Sequence, residues 1–163
     1  DSYDDGLDIL LVGELLNNDV RFKQYIKNLM PTAAAMRFKP FGQFDVDIGF
    51  VDENGVIVGT MDVERWGKWQ EEWPKYYAYI SFLTRKDKFL KEKVPFVMGY
   101  FSYMRDRLLV VERSHILNTN PMDKEFSSGA GIDNIRPVPF KYGHIFGKHV
   151  TDREKKLFNY AEG

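Results

Sequence analysis

Residues 44–65, FDVDIGFVDENGVIVGTMDVER, alternate apolar and polar side chains on either side of an Asn-Gly pair. This alternation predicts one β-strand over 44–51 and a second over 56–64, because successive side chains of a strand point to opposite faces. Asn54 and Gly55 tolerate the positive φ angles of a two-residue hairpin turn. The stretch therefore predicts an antiparallel hairpin.

The register of this hairpin gathers four carboxylates on one face. With a two-residue turn, Asp47 lies opposite Asp62. Asp45 then lies opposite Glu64, and any turn of even length gives the same pairing. A three-residue loop would turn one strand over and separate the acids. The other face is apolar and carries Val46, Ile48, Phe50, Ile57, Met61 and Val63.

Like charges placed opposite each other, about 5 Å apart, destabilise a hairpin, so the four acids need a compensating cation. The chain contains no cysteine, which excludes disulfides, zinc–thiolate sites and thiol nucleophiles. Mg²⁺ takes oxygen ligands and commonly binds one or two carboxylates together with a substrate phosphate. We therefore expect Mg²⁺, with Mn²⁺ as a substitute, and phosphoryl chemistry. The alternative is a solvent-exposed edge hairpin whose acids only confer solubility.

The rest of the chain predicts helices before and after the hairpin, two further strands and a closing helix. Asp19 is a good N-cap and Pro31 a helix stop, whereas Thr151 and Glu154 match a capping box. The predicted helices are 7–16, a second short one ending before Pro31, 70–89 and 152–160, and the predicted strands are 94–103 and 108–112. Residues 114–148 show little periodicity and are expected to be loop-rich.

Length and composition favour one folded domain of 163 residues, in which 44% of residues are apolar and 15% aromatic. We expect a core over 7–112 and a loop-rich C-terminal extension over 113–163. The net charge of −1 neither requires nor excludes a polyanionic partner. No apolar run approaches the roughly 20 residues of a membrane helix. The expectation is a protein without a membrane partner, located in the cytoplasm, that of a bacterial host if a phage encodes it.

Asp47 at the start of one strand and Asp62-Val63-Glu64 at the end of the next resemble the motif of the PD-(D/E)xK, or restriction-endonuclease-like, nucleases. That family has a core of helix, three strands, helix and strand, and the similarity covers roughly residues 7–112. It implies an α/β (α+β) fold with a restriction-endonuclease-like core. It also implies a central mixed sheet of about four or five strands flanked by helices.

The resemblance implies roles for the acids in metal-assisted hydrolysis of a phosphodiester. Asp47, Asp62 and Glu64 would be metal ligands. Glu64 stands where the family motif has its lysine, so the general base is either Glu64 itself or a lysine from further along the chain. Lys68 and Lys75 are the candidates for that lysine.

The family also has an acidic residue on its first helix, and Glu14 is the best match, with a solvent-facing glutamate as the alternative. The implied activity is Mg²⁺-dependent endonucleolytic cleavage of double-stranded DNA, by a homodimer if each chain cuts one strand. The small, cysteine-free chain resembles phage nucleases, including free-standing homing endonucleases. Two alternatives stay open: a non-enzymatic phage binding or structural protein with an acidic surface cluster, and a structure-selective junction nuclease of the same superfamily.

Two further groups admit a functional and a structural interpretation. Trp66, Trp69 and Trp73 recur at helical spacing and could stack on bases, but an aromatic stripe favours a place in the core. The basic residues within 85–93 could contact a phosphate backbone, or could complement the dipole of a helix C-terminus.

Overall fold

The computed structural model describes residues 2–43, 45–125 and 131–162. In these residues helices and strands mix, which confirms the predicted α+β class. The helices are α1 (Ser2–Asn18), α2 (Val20–Leu29), α3 (Arg113–Leu117) and α4 (Asp152–Leu157), with 3₁₀ helices at Thr84–Lys91 and Phe140–Tyr142. The strands are β1 (Ala35–Phe38), β2 (Ile48–Val51), β3 (Ile57–Arg65), β4 (Ile80–Leu83), β5 (Phe96–Phe101), β6 (Arg107–Glu112), β7 (Met122–Glu125), β8 (Ile132–Val138) and β9 (His144–Gly147).

The principal sheet is mixed and has the strand order β1-β2-β3-β5-β6-β9, so it is larger than the predicted four or five strands. Strands β3 and β5 pair in parallel, and the other neighbours pair antiparallel. A second, antiparallel sheet has the order β4-β8-β7. The parallel pair requires a crossover, because its two strands run in the same direction.

The principal sheet separates two hydrophobic cores. On one face α1 and α2 pack through Val12, Phe22 and Ile26 against Ile48, Phe50, Met61 and Val63 of the hairpin strands. Met30, at the end of α2, packs so closely on β3 that a Cβ at Gly59 would lie 2.3 Å from the Met30 Sδ. On the other face lies an aromatic core that includes Trp69, Trp73, Phe82, Phe96 and Tyr100. The structural interpretation of Trp69 and Trp73 is therefore confirmed.

The hairpin register is the predicted one, but the turn is different. Ile48 pairs with Met61, Gly49 with Thr60, and Phe50 with Gly59. The pairing ends at Ile48, and Asp47, one residue before it, lies close enough to Asp62 for the two carboxyl groups to interact.

The turn itself is a three-residue loop. Asp52 donates its N–H to the Val56 carbonyl at 2.9 Å, and its side chain accepts from Asn54 N, while Gly55 has φ +80°. A β-bulge at Val58 adds one residue to β3, so Val51 pairs with Ile57 instead of Val58. The bulge cancels the effect of the odd-length loop and keeps the acids on one face.

Two details of the predicted strands are wrong. Strand β2 begins at Ile48, because residues 45–47 form a bend, and Phe44 lies outside the described residues. Val46 consequently packs in the aromatic core rather than beside Ile48. The bulge also exchanges the faces of Ile57 and Val58: Ile57 lies beside Gly49, and Val58 packs against the core under α1 and α2.

The early helices and the closing helix are confirmed. Asp19 accepts from the backbone N–H groups of Arg21 and Phe22, which caps α2 as predicted. Thr151 and Glu154 form the predicted capping box, although α4 ends at Leu157 rather than at 160. The predicted strands over 94–103 and 108–112 correspond to β5 and β6.

The helix predicted over 70–89 is wrong. Residues 66–79 form irregular backbone, and β4 and a 3₁₀ helix follow. Pro74 disfavours helical backbone at the residue before it and removes a donor. The backbone N–H of Trp73 instead donates to the buried Glu154 carboxylate at 2.9 Å. Tyr76 of this segment is 98% exposed, so it does not pack on the sheet.

The C-terminal part of the chain is not the predicted loop-rich extension. Its described residues supply β7 and β8 of the second sheet and the edge strand β9 of the principal sheet. Glu154 of α4 is fully buried and accepts hydrogen bonds at 2.9 Å from the Arg107 guanidinium. The expected boundary at 112–113 therefore does not separate a core from an accessory segment.

Candidate active site

A cleft of about 440 Å³ opens beside the start of β2 and the C-terminal half of β3. Carboxylates and cationic side chains line it in equal numbers. The carboxylates are those of Asp8, Asp45, Asp47, Asp62 and Glu64. The cations are those of Lys39, Arg65, Arg85, Lys86 and Arg105. Four of these five acids are the ones that the hairpin pattern predicts on one face.

Asp47, which directly precedes β2, is held by hydrogen bonds from Lys39, next to β1, and from Val63 on β3. Its Oδ1 accepts from the Lys39 Nζ at 2.7 Å, and its Oδ2 accepts from the backbone N–H of Val63 at 3.0 Å. Lys39 follows β1 directly and donates its own N–H to the Asp47 carbonyl at 2.9 Å, with a positive φ of 47°. These bonds fix the carboxylate, which is buried, beside β3.

Asp62 and Glu64 share one ammonium group. The Lys86 Nζ lies 2.8 Å from the Asp62 Oδ2 and 2.9 Å from the Glu64 Oε2. The other oxygen of Glu64 accepts from the Trp66 Nε1 at 2.9 Å. Asp62 is buried and Glu64 half-buried, so Lys86 bridges the inner and outer parts of the cleft.

Lys86 is positioned by the 3₁₀ helix on which it lies. The buried side chains of Phe89 and Leu90 anchor this helix in the aromatic core. Asp87 accepts from two guanidinium nitrogens of Arg136 on β8, at 2.9 and 3.0 Å. The helix is therefore attached to the second sheet at the residue next to Lys86.

Burial raises the pKa of Asp62 to about 7, and the neighbouring Asp47 carboxylate adds to the rise while Lys86 opposes it. Burial alone would lower the pKa of Lys86, but the carboxylates of Glu64 and Asp62 outweigh that effect and raise it above the ordinary value. Lys86 therefore carries its positive charge across the physiological pH range. Asp62 exchanges its proton near neutrality, which is unusual for an aspartate.

The negative charges of the clustered acids are partly neutralised by lysines, whereas the sequence analysis expected a divalent cation to neutralise them. Lys39 pairs with Asp47, and Lys86 pairs with Asp62 and Glu64. Even so, the raised pKa of Asp62 shows that one ammonium group does not fully offset burial and the charge of Asp47.

The predicted acid on the first helix is not part of this cleft. Glu14 is exposed and lines a separate surface depression near Leu11 and Met104. Asp8, nearly two turns earlier on α1, takes that place and accepts from the Arg105 Nε at 2.9 Å. The difference arises because α1 buries the side that carries Asp8 and Val12 against the sheet.

Lys75 and Lys68 do not reach the acids of the cleft. Lys75 is exposed on the irregular segment that replaces the predicted helix. Lys68 lines a neighbouring pocket together with Glu64 rather than the acid cleft. The lysine beside Asp62 and Glu64 is Lys86, and not Lys68 or Lys75 as predicted.

The donor set suits a metal held partly by substrate rather than a closed protein cage. Within 2–43, 45–125 and 131–162, no three histidine, aspartate or glutamate side chains are arranged to hold an ion among themselves. Asp47 and Asp62 form a pair of facing carboxylates, and Mg²⁺ is typically bound by one or two carboxylates plus substrate phosphates and water. Both oxygens of Asp47 and both oxygens of Glu64 already accept hydrogen bonds, so a metal bound to either carboxylate would displace or share a donor.

Sequence reasoning missed Lys39, Lys86, Asp8 and Arg105. A signal for Asp8 was its position one turn before Val12 on the apolar side of the first helix. The predicted helix over 70–89 puts the run of basic residues that contains Lys86 at a helix C-terminus, whereas Lys86 lies on a 3₁₀ helix. Nothing in the local pattern indicates that this run folds back onto β3.

No protein-family model matches the sequence, and no curated protein is significantly similar to it. The resemblance to the PD-(D/E)xK nucleases thus stays a prediction. In the described part of the chain, every helix is too short or too polar to cross a lipid bilayer.

Proposed function

We propose that this protein is a Mg²⁺-dependent endonuclease that hydrolyses phosphodiester bonds in double-stranded DNA. One observation carries the proposal: two facing, buried carboxylates, Asp47 and Asp62, share an open cleft with a lysine that stays charged. Paired carboxylates can bind the metal that assists phosphoryl transfer, and an adjacent cation can stabilise the charge that develops on the phosphate.

Asp47 and Asp62 would hold the metal in this proposal. Mg²⁺ bound there would lower the pKa of a bound water and withdraw charge from a phosphate oxygen. Asp62 must be deprotonated to bind a cation, and its raised pKa places that step near neutral pH.

Lys86 acts as an electrostatic group rather than as a base, because the adjacent carboxylates keep it protonated. Its ammonium stabilises the charge that develops on the phosphate as water oxygen bonds to phosphorus and the ester P–O bond breaks. Glu64 holds Lys86 in place and, as the carboxylate on β3 beyond Asp62 that lines the same cleft, is assigned to accept the proton of the attacking water. The leaving ester oxygen takes up a proton from solvent water, so the products are a phosphomonoester and a free hydroxyl.

The rim of the cleft suits a polyanionic substrate. Arg65 and Arg85 are exposed and line the cleft beside the acids. Guanidinium groups bind phosphate oxygens in a bidentate manner and neutralise backbone charge. Because acids and cations line the cleft in equal numbers, these two rim arginines, rather than a net positive charge of the cleft, would contact the phosphate backbone.

Cleavage of supercoiled plasmid in the presence of Mg²⁺ or Mn²⁺ tests the proposal. We expect nicking by the wild-type protein and its loss with a chelator. Asp62→Asn and Lys86→Met are expected to lower the rate at least roughly a hundredfold, since each removes charge that is aligned with the transition state.

Glu14→Gln and Lys75→Met are matched controls, because both residues are exposed and lie outside the cleft. We expect them to cleave as the wild type does. Absence of cleavage of plasmid DNA with either metal would contradict the proposal. It would favour the second candidate, a non-enzymatic binding protein, which is supported by the ion pairs that Lys39 and Lys86 make with the acids.

A further inference from the structure

A second pocket, of about 270 Å³, adjoins the acid cleft. Glu64 and Arg65 line both cavities, so the two lie next to each other at the end of β3. The volume falls just below the roughly 300–1,000 Å³ typical of pockets for drug-sized ligands. It suits a single planar ring system.

Aromatic side chains form one wall of this pocket. Trp66 and Tyr77 both line it and contact each other edge to face, with ring centroids 5.5 Å apart. The fully buried Trp73 stacks on Trp66 at 5.2 Å and supports it from the core. Because Trp66 also donates to Glu64, the aromatic wall is rigidly connected to the acid cleft.

The remaining lining offers hydrogen-bonding groups of both kinds. Lys124 and Asp133 pair across strands β7 and β8 and present a cation and a carboxylate. The Lys124 Nζ lies 3.3 Å from the Ser81 Oγ and 4.8 Å from the centre of the Tyr77 ring. A ligand with π faces and an edge of mixed donors and acceptors matches this combination.

We propose that this pocket binds an unpaired nucleobase whose phosphate lies in the acid cleft, so that substrates with an unpaired nucleotide are preferred over fully paired DNA. The inference rests on the proposed nuclease function and specifies its substrate. A base in a duplex can enter such a pocket only by leaving the stack, whereas an unpaired base enters at lower cost. Stacking on aromatic side chains then stabilises the bound base.

The test uses the Asp62→Asn protein, which is expected to bind without cutting, and fluorescein-labelled short duplexes in Mg²⁺ buffer. One duplex is fully paired, and four others each carry one unpaired A, C, G or T. By fluorescence anisotropy we expect at least one unpaired duplex to bind roughly tenfold more tightly than the paired duplex. Adding Tyr77→Leu should abolish this preference, whereas adding Tyr76→Leu, at an exposed residue outside this pocket, should not.

A second variant keeps the inference testable if Tyr77→Leu unfolds. Asp133→Asn replaces a carboxylate, which only accepts hydrogen bonds, with an amide, which also donates, so it should change which of the four bases is preferred. If Asp133 only stabilised the fold, the base preference would not change. Equal affinity for paired and unpaired duplexes, or an unchanged preference in both variants, would overturn the inference. If the wild type still nicks plasmid in that case, the nuclease proposal stands, whereas failure of the wild type to nick plasmid overturns both.

Discussion

Asp62 lies beside one carboxylate and one ammonium group in a position that water barely reaches. Burial and Asp47 favour its protonated form, and Lys86 favours the charged form. The balance leaves its pKa at about 7, so a small change in surroundings decides its charge. A divalent cation that binds Asp62 would displace its proton, so cation binding would convert Asp62 to the charged form that the proposed reaction needs.

Asp62→Asn is expected to make the fold less sensitive to pH. Folding raises the pKa of Asp62 from 3.8 to about 7, so the folded protein retains a proton that the unfolded chain has lost in that interval. The wild type therefore loses stability as pH rises from about 4 to about 7, by about 1.4 kcal/mol per unit at most. The asparagine variant has no such proton to lose.

Urea denaturation measures this effect. We compare the free energy of unfolding of Asp62→Asn with that of the wild type at the same pH. The value for the variant minus that for the wild type should be larger, meaning a relatively more stable variant, by about 2–3 kcal/mol at about pH 8 than at about pH 5. Glu14→Gln, at an exposed position, should follow the wild type at both values. The same difference between Asp62→Asn and wild type at both pH values would contradict the raised pKa.

The sequence predicted Asp47, Asp62 and Glu64 as neighbours because a two-residue period and a turn determine which side chains share a strand face. The lysines that accompany them could not be derived in this way. Lys86 is 22 residues from Glu64 in the chain, and its position depends on how the crossover folds. Local periodicity contains no information about that path.

At the scale of elements, the β2–β3 hairpin shows how two irregularities compensate. The three-residue loop would by itself place the acids on opposite faces, and the bulge at Val58 restores the pairing of Ile48 with Met61. The sequence predicted the register but not the three-residue loop and the bulge that produce it, since Asn54-Gly55 is compatible with several turns. The acid face consequently depends on the bulge as much as on the turn.

The contact of α2 with β3 gives a prediction for this hairpin. A Cβ at Gly59 would lie 2.3 Å from the Met30 Sδ, so Gly59→Ala should destabilise the fold by about 1–3 kcal/mol through overpacking. Met30→Ala should cost about 2–5 kcal/mol by opening a cavity. In the double variant the methyl group at residue 59 partly fills that cavity.

Chemical denaturation of the four proteins closes a double-mutant cycle. We expect the double variant to be more stable than the sum of the single changes implies, by about 0.5–3 kcal/mol. Strict additivity would mean that Met30 does not pack on Gly59.

The crossover from β3 to β5 was predicted as a helix and is not one. Spacing of Trp66, Trp69 and Trp73 fits a helical stripe, yet their burial results from contacts with α4 and the second sheet. Long-range contacts of this kind override the local pattern, which is why this element and the C-terminal strands could not be predicted from periodicity.

At the scale of the whole molecule, Glu154 connects the C-terminal helix to the centre of the fold. Its carboxylate is fully buried and accepts from the Arg107 guanidinium, from the Trp69 Nε1 at 2.6 Å and from the Trp73 backbone at 2.9 Å. Arg107 belongs to β6, which lies between β5 and the edge strand β9 of the principal sheet. The C-terminal segment thus helps to shape the aromatic core that supports Trp66 and the cleft.

Glu154→Gln is therefore expected to destabilise the protein strongly. It removes the closer carboxylate of the buried Arg107, whose contact with Asp106 is longer at 3.4 Å, and breaking a buried pair in this way typically costs about 3–5 kcal/mol. Lys156→Ala, an exposed change on the same helix, should stay within about 0.5 kcal/mol of wild type. Thermal and urea denaturation measure both, and a Glu154→Gln protein as stable as Lys156→Ala would show that the ion pair does not hold the C-terminal segment.

Titration with Mn²⁺, followed by electron paramagnetic resonance, tests most directly whether Asp47 and Asp62 form a divalent-cation site. The wild type should bind Mn²⁺ several-fold more tightly at about pH 8 than at about pH 6, because a proton competes for Asp62 below its pKa of about 7. Asp47→Asn and Asp62→Asn should each weaken binding at least roughly tenfold. Wild-type affinity in both variants, or no binding by the wild type at either pH, would contradict the account.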